Sequence, residues 1–434
     1  MIIQVVLTVF YFLLFNFLIY RFKQLQLKNF KPFVTSLLFN LKFITGILIW
    51  VIYTFYYKDV QNNDVHKFYN DALILRNAVT ENPAAFTQLI TGLNTGSYTD
   101  AYTSQMKNWA RNFDEAPFNE NRTIIKLNAL IMFVSFKTYF VHILFMCFFS
   151  LIGWVLLTNA ILAFTDLQAS LLVLPILLLP SVLFWTSGVM KEPLLVLGLG
   201  LVLHGLLVSG LKVVERFITI VIGVIIILMT KFFVIACLLP ALISFYIFKN
   251  KQTFSFIIVK YLVVNFILLL VAFNIHYVIP KINLQQMLVN KQSHSVKEAA
   301  YFNAGSRIDI PPIDGNTLSI LKVAPVGIWN TITRPYLWEG KNMMMLASAV
   351  ENIFTVLFII LCLSLTNFKS IKNLNLVLFL LTFSISYYAL IGICTPVLGN
   401  LVRYKAPLLP IFLFAFILNV QVTNPSKKSL LLFR

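Results

Sequence analysis

Long apolar runs constrain this chain more than any other feature of its sequence. Hydrophobic residues make up 59% of its 434 positions and charged residues 12%, about half the share of a typical soluble domain. A transmembrane helix needs about 20 predominantly apolar residues, because the hydrocarbon core is about 30 Å thick and a helix rises about 1.5 Å per residue. We therefore predict an all-α polytopic membrane protein with a single transmembrane domain over residues 1–434. About eleven candidate spans are present: 2–20, 34–57, 139–162, 170–187, 193–210, 217–230, 232–248, 255–278, 347–366, 375–394 and 407–422.

The sixth and seventh candidate spans are short and meet at Thr230–Lys231. They fit either one long kinked helix or two half-depth helices that meet near the outer face. A lysine at that depth is costly unless its ammonium reaches a lipid phosphate or a functional partner. Lys231 is therefore a candidate site residue, and snorkelling to lipid is the alternative explanation.

Basic residues in the linkers set the predicted orientation, because short cytoplasmic loops carry an excess of Lys and Arg. The linker 21–32 has four basic residues and no acidic ones, so we place it on the cytoplasmic side. Alternation then puts the N-terminus outside and the C-terminus inside. Two long loops, 58–138 and 279–346, face outward, and the mixed basic and apolar stretch 122–138 predicts an interfacial helix.

Several classes of function are not supported by the composition. The net charge of +18 follows from the basic linkers, and no soluble region has the basic, aromatic stripe of a nucleic-acid-binding protein. The P-loop, Rossmann, GxSxG and HExxH motifs are absent. The four cysteines lie in apolar segments without CxxC or zinc spacing, and we expect them to be core residues. We predict no metal site and identify no cofactor, although outer-face carboxylates are compatible with a divalent metal.

Two aspartates follow the second candidate span closely. Asp64 and Asp71 lie seven residues apart in NNDVHKFYNDALIL, which places them on one face of a helix after two turns. One interpretation is a solvated helix whose acids have no role. The other is a carboxylate held at the membrane surface, where it would act as a general base on an acceptor hydroxyl or as a metal ligand.

Basic residues lie in four separate segments that are predicted to face outward, against the positive-inside trend. They are Lys191 in SGVMKEP, Lys231 between the two half-spans, Arg334 in TRPYLWEGKN and Arg403 in GNLVRYKAP. Each alone is compatible with an interfacial ion pair or with snorkelling to lipid. Together they match the phosphate clamp that a lipid-linked sugar requires at headgroup depth. The residues that would support this clamp are Glu192, Trp338, Glu339, Tyr404 and Lys405.

Several of these motifs resemble those of GT-C glycosyltransferases, polytopic enzymes that use polyprenyl-phosphate sugars. DVHKFYNDALIL is similar to their acidic first-loop motif. LFWTSGVMKEPLLVLGLGL is similar to a W-S-S-G-x-x-K-[ED] turn in bacterial membrane proteins of this kind, including ones linked to surface polysaccharide assembly. TRPYLWEGKN and NLVRYKAPLLP are similar to outer-face elements of such chains. Here, however, the acidic loop follows the second span rather than the first, and the tight pair of acids is absent.

The resemblance implies a GT-C-like fold and an inverting transfer of sugar from a polyprenyl-phosphate-linked donor to a glycan or lipid acceptor. It implies a location in the bacterial inner (cytoplasmic) membrane, with membrane lipids as further partners and no nucleic acid. It assigns the general base to Asp64 or Asp71, and phosphate contacts to Lys191 and Arg403.

Two other classes of function remain open from the sequence. A transporter or flippase for a lipid-linked or anionic solute would use broken helices with buried ionisable residues. One break, at Thr230–Lys231, fits this class, but it has no clear symmetric partner. A non-catalytic membrane protein of an envelope-assembly complex would instead use the long outer loops to bind protein partners.

Overall fold

The fold of the chain is all-helical over the part that the computed structural model describes. The described residues are 2–57, 63–93, 96–110, 120–165, 169–248, 254–280, 282–367, 371 and 373–420. The helices in this part are α1 (Ile2–Arg21), α2 (Pro32–Val51), α3 (Asp64–Glu81), α4 (Pro83–Thr91), α5 (Ser97–Thr103), α6 (Glu120–Ser135), α7 (Tyr139–Leu162), α8 (Val173–Leu177), α9 (Pro180–Trp185), α10 (Glu192–Leu207), α11 (Val213–Ile247), α12 (Phe254–Asn274), α13 (Leu284–Tyr301), α14 (Thr317–Thr333), α15 (Met343–Ser364), α16 (Leu374–Cys394), α17 (Leu398–Lys405) and α18 (Leu409–Ile417). The predicted cytoplasmic tail lies outside the described residues, as do 58–62, 94–95 and 111–119 of the first long loop.

Long apolar helices confirm the predicted membrane architecture, although they are fewer than the eleven expected. Among the described residues, seven helices are long and apolar enough to cross a membrane, or eight if α17 and α18 form one span with a bend of 55°. The predicted span 170–187 divides into the short helices α8 and α9, the second of which starts at Pro180. The predicted span 193–210 forms α10, which has only 16 residues. Hydropathy alone does not distinguish such short buried helices from full spans.

The two short segments that meet at Thr230–Lys231 form one helix with a kink, the first of the two forms that the sequence left open. Lys231 has φ −154° and ψ 85°, which lies outside the helical region. The kink disturbs the backbone hydrogen bonds on its N-terminal side, where a side chain of another helix supplies a hydrogen bond. Thr123 of α6 donates its hydroxyl to the Met229 carbonyl at 2.7 Å. The break in α11 is therefore tied to a helix outside the bundle.

Helix α10 lies at the centre of the bundle, packed between α7 and α11. Glycine permits this close approach: a methyl group on Gly200 would overlap the backbone of Gly153 in α7. On the other contact face, Gly198 lies against Gly223 of α11 in the same way. Small residues at helix crossings let membrane helices associate through close backbone contact. The short α10 is consequently more deeply buried than the longer helices around it.

Helices α3 to α6 pack together on one end of the bundle, and we call this group the cap. The predicted interfacial stretch is helical, as α6, and it packs against α3, α7 and α11. Apolar contacts join the cap to the bundle through Met146 of α7 and Leu194 of α10. At the other end of α7, the Asn159 side chain bonds to the backbone of Gln26 and Lys28. The linker predicted to be cytoplasmic thus lies at the end of α7 away from the cap.

We expect Gly200→Ala to lower the melting temperature of the protein in detergent, because the added methyl group forces α10 and α7 apart. Overpacking of this kind costs about 1–3 kcal/mol. Gly399→Ala is the matched control, since it also lies in a helix and has open space where its Cβ would be. The control should be neutral or slightly stabilising. Equal melting temperatures for the two variants would contradict the close contact of α7 and α10.

Candidate functional site

A buried carboxylate stands at the centre of the candidate site. Glu192 is the first residue of α10 and is fully buried. Arg403 of α17 binds it with a fork: Nε donates to Oε1 at 2.8 Å and Nη2 to Oε2 at 3.1 Å. Lys231, at the kink of α11, brings its Nζ to 3.5 Å from Oε1. One carboxylate therefore joins three elements that are distant in sequence.

The neighbouring Lys191 is paired with the cap. Its Nζ lies 2.9 Å from Glu120 Oε2 and 3.2 Å from Asn121 Oδ1. Both partners open α6 and are buried. The same ammonium lies 5.8 Å from the centre of the Phe68 ring in α3. The sequence interpretation missed Glu120 and Asn121, and their only signal was their place at the start of the interfacial helix.

These five ionisable residues form what we call the charge cluster: Glu120, Lys191, Glu192, Lys231 and Arg403. Three bases and two acids leave it with one formal positive charge. The side chains are at most 12% exposed, so solvent screens this charge weakly. Buried bases interact strongly with an anion, because the surrounding protein is less polarisable than water. The electrostatics of the described residues of the cluster therefore favour binding of an anion.

Interior side chains hold the turn that carries Lys191 and Glu192. Lys42 of α2 donates to Thr186 Oγ1 at 2.6 Å, and Ser150 of α7 donates to the Thr186 carbonyl at 2.7 Å. Lys42 is 2% exposed. The sequence interpretation missed this residue, although a lysine in the middle of an apolar span was a usable signal.

Lys405 lies two residues after Arg403 and is also buried, but it is engaged elsewhere. Its Nζ donates to Asn352 Oδ1 at 2.7 Å and to the carbonyls of Thr331 and Arg334 at 3.2 and 3.3 Å. These bonds tie α17 to the end of α14 and to α15. We therefore interpret Lys405 as a structural residue that lies beside the charge cluster.

Arg334 and its neighbours form a second group, separate from the charge cluster. Arg334 Nε lies 3.5 Å from Glu339 Oε1, and Glu339 accepts the backbone N–H of Tyr336 at 2.9 Å. Trp338 stacks on Tyr336 and is 82% exposed. Of the predicted site residues, the fold thus brings together Lys191, Glu192, Lys231, Arg403 and Tyr404. It leaves Arg334, Trp338 and Glu339 in this more exposed group.

The two acids of α3 that the sequence singles out are Asp64 and Asp71. Asp71 is buried and accepts the backbone N–H groups of Asn108 at 2.8 Å and Lys107 at 3.2 Å. Burial raises the pKa of Asp71 above its ordinary value, and the two backbone N–H bonds act in the opposite direction. Asp64 opens α3, one turn before Phe68, but its side chain lies outside the described residues. The bonds of Asp71 give it a structural part in the cap.

An open, apolar cleft of about 470 Å³ lies between α8–α9 and α15. Its lining includes Leu179, Phe354 and Glu351. Glu351 is not free in this cleft, because its carboxylate accepts both the backbone N–H and the hydroxyl of Ser181. Helix α9 runs from this cleft to Trp185, whose ring centre is 5.6 Å from the Arg403 guanidinium. Helix α9 and the Trp185 side chain therefore lie between the cleft and Arg403.

Metal ligation and similarity to known proteins add no further assignment. Across the described ranges, no three His, Cys, Asp or Glu side chains gather as a metal ion would require. Comparison of the chain with protein-family models, curated proteins and solved structures gives no match. The functional argument therefore rests on the geometry of the charge cluster and its surroundings.

We expect Arg403→Gln to be strongly destabilising, because it leaves the buried Glu192 carboxylate without its forked partner. Removing one member of a buried ion pair costs about 3–5 kcal/mol. Arg334→Gln is the control: its side chain is 27% exposed and its Nε lies 3.5 Å from the Glu339 carboxylate, so a cost below about 1 kcal/mol is expected. Denaturant unfolding in detergent measures both. Similar losses for the two variants would show that Glu192 does not depend on Arg403.

Proposed function

We propose that this chain is a membrane glycosyltransferase or polysaccharide polymerase. It would transfer a sugar from a polyprenyl-phosphate-linked donor to an acceptor at the outer face of the bacterial inner membrane. The observation that carries the proposal is the convergence of Lys191, Lys231 and Arg403 on one buried cluster with a net positive charge. The segments that carry Lys191 and Arg403 have motifs that resemble those of GT-C enzymes.

The charge of the cluster suits a phosphodiester. A sugar linked to a lipid through one phosphate carries a single negative charge, which would pair with the bases of the cluster. Low exposure of the bases strengthens their interaction with an anion, because the surroundings are less polarisable than water. The same bases would stabilise the phosphate as it leaves and its charge increases.

The apolar cleft supports a lipid donor rather than a soluble one. Its lining is almost entirely aliphatic and aromatic, and helix α9 connects it to Trp185 beside Arg403. A lipid whose phosphate lies at the charge cluster would have apolar surface for its chain at the other end of α9. A free nucleotide sugar has no apolar chain that such a cleft would accommodate. The nucleotide-binding motifs are also absent from the sequence.

Asp64 is the proposed general base. It lies one helical turn before Phe68, whose ring is close to Lys191. Asp71 is buried and each of its carboxylate oxygens accepts a backbone N–H group, so an acceptor hydroxyl has little access to it. In the proposed reaction, Asp64 takes the proton of the acceptor hydroxyl and the oxygen attacks the anomeric carbon. The bond from that carbon to the phosphate oxygen breaks, and the phosphate leaves with the electron pair.

A second candidate function is transport or flipping of a lipid-linked or anionic solute. The kink of α11 at Lys231 favours it, because broken helices with an ionisable residue at the break form the substrate sites of many transporters. Movement of a lipid-linked sugar across proteoliposomes, without any covalent change, would distinguish this function from sugar transfer.

We expect Asp64→Asn to reduce sugar transfer by roughly 10²–10⁴-fold, the usual contribution of a general base. The assay is transfer of a radiolabelled sugar from polyprenyl-phosphate donors by the protein in nanodiscs. Asp71→Asn should retain transfer within about tenfold while lowering the melting temperature, because it weakens a backbone contact rather than the chemistry. Asp309→Asn, an exposed acid of the second long loop, is the control and should change neither quantity.

Full activity of Asp64→Asn would end its assignment as the base. If Asp71→Asn alone abolished transfer while remaining folded, the base would be Asp71. Absence of transfer by the wild-type protein, together with movement of the donor across the membrane, would favour the transporter.

A further inference from the structure

The three bases of the charge cluster differ in how their N–H groups are used. Arg403 forks onto both oxygens of Glu192, and Lys191 bonds to Glu120 and Asn121. Lys231 has no hydrogen bond to any described residue, although its Nζ is buried. Its interaction with Glu192 is a 3.5 Å ion pair only. Lys231 is therefore the base that can donate hydrogen bonds to a ligand while giving up the fewest existing ones.

Glu192, in turn, does not depend on Lys231 alone. The fork from Arg403 occupies Oε1 and Oε2 and would remain if the ammonium moved away. The ring of Tyr404 lies 4.1 Å from Lys231 Nζ and supports its positive charge from another side. The charged groups that act on this ammonium are Glu192, Arg403, Glu120 and Lys191. Among them, Glu192 is the acid in direct contact.

We propose that Glu192 is an internal counter-ion that competes with the ligand phosphate for Lys231. Binding exchanges the ion pair of Lys231 with Glu192 for hydrogen bonds from Lys231 to phosphate oxygens, while Arg403 keeps Glu192 in place. This exchange deepens the proposed function and rests on it for the identity of the ligand, a phosphate ester. The exchange predicts opposite effects for the two paired residues. Lys231 promotes binding of the phosphate, and Glu192 opposes it.

Binding measurements on the full chain in nanodiscs test the exchange, with polyprenyl phosphate as the probe and native mass spectrometry as the readout. Lys231→Met should weaken binding at least about tenfold, the value of one charge-assisted bond. Glu192→Gln should tighten it about tenfold by removing the competitor. Glu339→Gln is the matched control: it removes the acid that pairs with Arg334, outside the charge cluster, and it should change binding less than about threefold.

The double variant Lys231→Met with Glu192→Gln separates competition from a general effect of charge. If Glu192 acts through Lys231, the gain from Glu192→Gln disappears when Lys231 is replaced. Equal gains from Glu192→Gln and Glu339→Gln would overturn the proposal, as would a gain that persists without Lys231. Should Glu192→Gln fail to fold by thermal melting, Lys231→Arg replaces it in the test. It should bind like the wild type while Lys231→Met does not, and equal binding by the two would contradict the exchange.

Two further probes identify the source of the phosphate. Inorganic phosphate and nanodiscs rich in phosphatidylglycerol present the same oxygen chemistry without a prenyl chain. The variant pattern supports the exchange whichever probe produces it, and the probe that binds identifies the ligand. The proposed exchange and the proposed sugar transfer can also fail independently of each other. Binding with the expected variant pattern, but without sugar transfer, would preserve the exchange and contradict the enzymatic function.

Discussion

The burial of one carboxylate, Glu192, determines how the central part of this protein is arranged. An isolated carboxylate in an apolar interior is too costly to persist, so other parts of the chain must neutralise it. Arg403 does so from α17 and Lys231 from the kink of α11, and both must lie near the first turn of α10. We therefore relate the kink of α11, the bend between α17 and α18 and the central position of α10 to the need to neutralise Glu192.

Packing around α10 keeps this arrangement in place. Glycines let α7 and α11 approach it closely on two sides, so the Glu192 end of the helix has little freedom to move. The turn before it is bonded from the interior by Lys42 and Ser150. The cap closes over the same end and adds Glu120 beside Lys191. A cluster held from so many directions is preorganised, which is the property that electrostatic catalysis and anion binding both require.

Much of the architecture was predictable from the sequence, because the length of an apolar helix follows directly from the thickness of the membrane. The helical membrane fold and the break at Thr230–Lys231 are examples. The number of spans was not predictable, because 170–187 and 193–210 are apolar enough to cross a membrane but form short buried helices. The sequence grouped as one set the four bases that were predicted to face outward. Their pairing, including the roles of Glu120 and Lys42 and the separate position of Arg334, depends on contacts between distant segments that spacing does not encode.

The central claim is that the charge cluster is an anion site built around Lys231 and Glu192. A high-resolution electron cryomicroscopy map of the protein in nanodiscs with bound polyprenyl phosphate tests it most directly. The account predicts phosphate density in contact with the Lys231 ammonium, with the Arg403 fork still on Glu192 and the prenyl chain directed along α9 towards the apolar cleft. Phosphate density at Arg334, away from the cluster, or an unchanged pair of Lys231 and Glu192 in the bound protein would contradict it.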